Sequence, residues 1–164
     1  NTFRPKGPSG KFEWLSTTNI NDVVEQYEEV YPEFKFLGAV PIDFEDLPTL
    51  GIKNLNFSNL VKNGITKIGT VFNLDEHWKS GSHWVALYSD LKNNQVYFFD
   101  SYGKRPERRI RDFVKKISKW MVKNNGKKGG KRILYDDSSS DESETSVSFM
   151  KPKKKKFNRR KIRC

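Results

Sequence analysis

The chain has 164 residues, 35% of them hydrophobic and 31% charged, with a formal net charge of +11. That length suffices for one domain with a real core, and no apolar run approaches the roughly 18 residues that a membrane-spanning helix needs. The charge is lopsided: positions 126–164 hold 13 basic and 5 acidic residues, the first 125 hold 18 and 15, so basicity belongs to the tail and does not describe the domain.

The chain opens on Asn1, and the numbering is expected to begin inside a longer product, with nothing resembling a signal peptide at its start. Residues 1–11 hold two prolines and two glycines and read as a flexible arm. The first ordered element is expected near Trp14. Asn19 to Tyr27 then places a polar cap before Val23, Val24, Tyr27 and Val30, a spacing that predicts an amphipathic helix ending before Pro32. Phe34 to Pro41 reads as extended, and Pro48 and Gly51 mark turns. Leu55 to Gly69 is open between short helix and loop, and Ile68 to Asn73 fits a strand. Trp84-Val85-Ala86-Leu87-Tyr88 and Gln95-Val96-Tyr97-Phe98-Phe99 predict a hairpin turning at Lys92-Asn93-Asn94. Pro106 and Glu107 open a helix whose residues Ile110, Phe113, Val114, Ile117 and Met121 share one face.

Composition changes after Asn125. A Gly/Lys loop, an acidic serine tract and a Lys/Arg run make 126–157 a low-complexity insertion, expected to bury little surface. Residues 12–125 are thus expected to form the folded domain. The basic segment 151–163 could contact nucleic acid, serve as a localisation signal or simply be a solvated linker.

One cysteine, Cys164, excludes an intramolecular disulfide and fits a reducing compartment. With two histidines beside it, no zinc site can be assembled, so no metal is expected. The informative pair is His83, just before one hairpin strand, and Asp100, just after the other. Adjacent antiparallel strands lie roughly 5 Å apart, so the two side chains can meet at one end of the sheet. There an acid can orient an imidazole and stabilise its charged form, and the imidazole can activate a nucleophile, most economically a thiol. Each residue also has a plainer use: His83 as a strand-end histidine bonded to a carbonyl, Asp100 as a turn cap. His77-Trp78 repeats the His-Trp dipeptide without a following strand and reads as a substrate-side or plain surface loop.

Gly81-Ser82-His83-Trp84-Val85-Ala86-Leu87-Tyr88, followed by Phe98-Phe99-Asp100-Ser101-Tyr102-Gly103, resembles the His-Trp and Asp-Ser segments of SUMO-specific proteases, including the separation of 17 positions. Phe36-Leu37-Gly38-Ala39-Val40-Pro41-Ile42-Asp43-Phe44 is most similar to the large-DNA-virus branch of the adenovirus-protease and SUMO-protease clan. The resemblance implies an α+β papain-like fold with a mainly antiparallel central sheet packed by helices. It implies a cysteine endopeptidase, needing no cofactor, that cleaves polypeptides after Gly-Gly or Gly-X sites in viral structural precursors or releases a ubiquitin-like protein. It implies His83 and Asp100 as catalytic base and orienting acid, and Trp84 and Trp14 as the walls of a narrow substrate tunnel. The expected location is the virion or the host-cell cytoplasm.

The family's Gln-x5-Cys-Gly segment has no full match. Asn158 stands six positions before Cys164, which permits a reading of Asn158 as oxyanion donor and Cys164 as nucleophile. On the other reading, residues 158–164 start a further strand, and the nucleophile with its helix lies beyond the chain given. A different class of function is an inactive protease-like binding module or a basic nucleic-acid-associated virion component.

Overall fold

The computed structural model describes residues 13–126. The expectations for the arm 1–11, the insertion 126–157 (apart from Gly126) and the segment 158–164 lie outside the described residues, and Asn158 and Cys164 with them.

Ser16 caps the first helix, α1 (Thr17–Val24), through a reciprocal pair with Asn19, satisfying amide groups that have no partner inside the helix. The helix expected to run to Pro32 is two pieces: α2 (Gln26–Val30) follows after a break at Glu25. The Gln26 side chain donates to the Asp22 carbonyl at 2.6 Å, the group that a continuous helix would offer to the backbone N–H of Gln26.

Four strands form one sheet in the order β1 (Phe34–Pro41), β2 (Lys67–Asn73), β3 (Trp84–Asp90) and β4 (Gln95–Phe99). The β1–β2 pair is parallel, and the other two pairs are antiparallel. The sheet is therefore mixed, with two of its three ladders antiparallel. Strand β1 carries a bulge between Phe36 and Ala39, where Gly38 has φ of 101°. Its outer edge is capped by side chains: Asn21 accepts from the Ala39 N–H at 2.9 Å and Glu28 from the Phe36 N–H at 2.6 Å. Edge amides closed in this way cannot template another strand.

The ambiguous stretch 55–69 contains a short helix, α3 (Phe57–Lys62), and the start of β2. Helix α4 (Arg108–Asn125) is capped by Glu107 and lays Ile110, Phe113, Val114, Ile117 and Met121 on the sheet. The face it meets is made by Ile68 and Phe72 of β2, Val85 and Leu87 of β3, and Val96 and Phe98 of β4. Phe44 stands at the centre, its ring 4.9 Å from Phe72 and 5.4 Å from Phe113. The alternation in each strand thus fixes which residues enter the core. Truncating the fully buried Phe113 to alanine is expected to destabilise the protein by about 3–5 kcal/mol, read as a lower denaturant midpoint with an unchanged slope.

Candidate active site

His83 immediately precedes β3 and Asp100 immediately follows β4, and the antiparallel register pairing Ala86 with Phe99 brings those two ends together. The His83 Nε2 lies 2.7 Å from Asp100 Oδ1. The Asp100 carboxyl is almost fully buried, and the His83 ring is largely covered. The backbone holds both partners. The His83 carbonyl accepts from the Leu74 N–H at 2.9 Å, tying it to the end of β2. Asp100 Oδ1 accepts from the Tyr102 N–H and Oδ2 from the Lys104 N–H, each at 3.0 Å. Turn capping and imidazole contact, two compatible uses of Asp100, are combined in one side chain.

Burial alone would raise the Asp100 carboxyl. The bond from His83, the two backbone N–H groups and the attraction of the His83 ring outweigh it and hold the acid below its usual range. An ionised Asp100 accepts a proton-bearing Nε2, which leaves Nδ1 as the basic atom of a neutral ring. Nδ1 has no hydrogen-bond partner among the described residues. Tyr102 stacks on the imidazole with ring centroids 4.6 Å apart.

A groove of about 570 Å³ is lined by Trp14, Leu15, Pro41, His77, Gly81 and Trp84, among others; Trp84 directly follows His83 in the chain, while His83 and Asp100 themselves stand outside the lining. Trp84 Nε1 donates to the Leu15 carbonyl at 3.0 Å, so the two tryptophan segments, 70 positions apart in sequence, are joined at one wall. Trp14 is exposed, as suits a residue at a rim rather than in a core.

The sequence did not reveal the second histidine–acid pair. His77 is not a plain surface loop residue: its Nδ1 lies 2.5 Å from Asp43 Oδ2, and its N–H donates to Asp43 Oδ1 at 3.0 Å. Asp43 is buried directly after the apolar run Ala39 to Ile42. An acid between Ile42 and Phe44 was the available signal, because a carboxylate at such a position needs a partner. Among the described residues no cluster of His, Cys, Asp and Glu could hold a metal ion, and no helix is long and apolar enough to cross a membrane.

No family model matches the chain. It is 42% identical over 134 residues to a candidate thiol protease of Acanthamoeba polyphaga mimivirus, covering 82% of this chain and 43% of that protein. It is 22% identical over 135 residues to a SUMO-1 cysteine protease of African swine fever virus, covering 74% of this chain and 50% of the relative. The chain thus spans about half the length of the curated relatives it matches. The crystal structure of the African swine fever virus protease superposes with a TM-score of 0.59 at 18% identity, over 76% of this chain and 48% of the other. At that identity the likeness establishes the fold, which is the α+β fold of this protease clan.

Proposed function

We propose that this chain, which is similar in sequence to a mimivirus thiol protease and an African swine fever virus SUMO-1 cysteine protease, carries the general base and the orienting acid of a thiol endopeptidase. The observation that carries the reading is the 2.7 Å contact between His83 Nε2 and a buried Asp100. With Nε2–H donated to Asp100, Nδ1 takes the proton of the attacking thiol. Asp100 stabilises the imidazolium, and the thiolate attacks the scissile carbonyl to form an acyl-enzyme. The imidazolium returns its proton to the leaving amine. Water, deprotonated by the same Nδ1, then releases the acyl group.

The substrate class is a polypeptide with an extended Gly-Gly or Gly-X segment: viral structural precursors first, the C-terminus of a ubiquitin-like protein second. Trp14 and Trp84 form flat apolar walls that favour residues without side chains and exclude water from the reacting bond. The kinship to a thiol protease and to a SUMO-1 cysteine protease supports a protein substrate.

The test is hydrolysis of a fluorogenic Gly-Gly peptide by the protein as its gene encodes it, beside labelling with a Gly-Gly peptide bearing an electrophile. The expected result is turnover that disappears on labelling, with the label mapped to a single cysteine. Specific peptide binding without turnover or labelling would replace the enzyme by an inactive protease-like binding module.

A further inference from the structure

The ten-residue loop from Leu74 to His83 joins β2 to β3, delivers His83 and lines the groove through Asp75, Glu76, His77, Lys79, Ser80 and Gly81. So long a connection, if free, would leave a groove wall poorly placed, whereas His83 at its end is held separately by the Leu74 N–H and by Asp100. The loop is instead tied at three points. At its base, the Asn73 side-chain oxygen accepts from the Asp75 N–H at 3.0 Å and the Ser82 N–H at 3.2 Å. Gly81, with φ of 90°, sits so close that an added Cβ would lie 2.7 Å from Asn73 Nδ2. On its flank, Glu76 meets Lys79 at 2.6 Å and Arg109 of α4 at 3.6 Å. At its crown, His77 gives both its ring N–H and its backbone N–H to Asp43, and the Ile42 N–H bonds to the Asp75 carbonyl at 3.1 Å.

The crown anchor differs in kind from the other two. Asp43 is buried beside Phe44, the residue at the centre of the core, whereas the His77 ring is half exposed and lines the groove. Burial would raise the Asp43 carboxyl, but the ring and backbone hydrogen bonds from His77 hold it below its usual range. The pair therefore couples the core to one wall of the groove through two charge-assisted hydrogen bonds.

The geometry points to Asp43 and His77 as a positioning pair that fixes the 74–83 loop as the substrate-facing wall, acting on substrate capture and not on the chemical step. This role rests on the proteolytic reading above. Uniform loss of ground-state and transition-state binding raises KM and leaves kcat alone.

The experiment compares wild type, His77→Ala and His77→Asn in the intact protein. It measures KM and kcat on the Gly-Gly peptide, the Kd of a non-cleavable analogue, and amide exchange across 74–82. For His77→Ala we expect KM and Kd to rise about tenfold, kcat to stay within about twofold, and the loop amides to exchange faster. His77→Asn sets an amide N–H close to where Nδ1–H stands and should recover most of the affinity and protection, a rescue expected only if the bond to Asp43 is what matters at this position. Unchanged KM and exchange in His77→Ala would overturn the pair, as would a fall confined to kcat. Should wild type bind but not cleave, the proteolytic reading fails, while Kd and amide exchange still decide the role of the pair.

Discussion

Replacing His83 by alanine is expected to abolish peptide hydrolysis, whereas His77→Ala keeps turnover at saturating substrate. Both histidines precede a tryptophan or stand beside one, and both bond to a buried aspartate. The difference is which ring nitrogen each one gives up. His83 donates through Nε2 and keeps Nδ1 without a partner among the described residues; it stands just before β3, whose first residue, Trp84, lines the groove. His77 spends Nδ1 on Asp43 and anchors a loop. A general base contributes on the order of 10²–10⁴-fold, and more when it also generates the nucleophile. Steady-state assays of the two variants, with circular dichroism to establish folding, make the comparison. Inactivity of His77→Ala at every substrate concentration, with His83→Ala active, would exchange the two roles.

The parts of the fold that repeat a simple period were legible in the residues. The β3–β4 hairpin, the apolar stripe of α4 and the extended run of β1 follow from alternation or 3.6-residue spacing, because burial on one face selects those periods. The helix before Pro32 was legible as a helix but not as two, because the break depends on which donor reaches the Asp22 carbonyl. Residues 55–69 lacked a decisive period because a short helix, a turn and a strand start share them. The parallel pairing of β1 with β2 could not be read locally: it joins segments about thirty positions apart through contacts that leave no mark in either segment alone.

The candidate site divides along the same line. His83 and Asp100 could be paired in advance because one hairpin fixes both, and a hairpin is set by neighbouring sequence. Trp14 and Trp84 were tied together only by resemblance, and the structure joins them through the Leu15 carbonyl. Asp43 and His77 were missed because 34 positions separate them and the loop between β2 and β3 carries no period. The bond from Asn73 across the base of that loop was missed for the same reason.

Asp100→Asn is the second large effect, and the local geometry gives its size and its pH signature. Oδ1 of the carboxylate takes hydrogen bonds from His83 Nε2 and the Tyr102 N–H, while Oδ2 takes the one from the Lys104 N–H. Three donors therefore converge on two oxygens. An amide offers one oxygen only, so one side of the group must set N–H against N–H. If the oxygen stays toward His83, the turn at Lys104 loses its cap. If the amide flips, His83 is pushed to the tautomer with Nε2 as acceptor, which leaves Nδ1 protonated and unable to act as base. In either arrangement the negative charge facing the developing imidazolium is gone. We expect turnover to fall by about 10²–10⁴-fold with the folded spectrum retained. The acid limb of stability should change as well. The folded-state Asp100 carboxyl is held below its ordinary value, so its stabilising contribution is complete above the unfolded value of about 3.9. That contribution is lost as pH falls through the lower folded value. The asparagine variant has no such proton to take up. Its denaturant midpoint should therefore decline less steeply than that of wild type on acidification from about pH 5 to pH 2. Parallel decline of the two proteins, or full turnover in the variant, would remove the charge of Asp100 from the site.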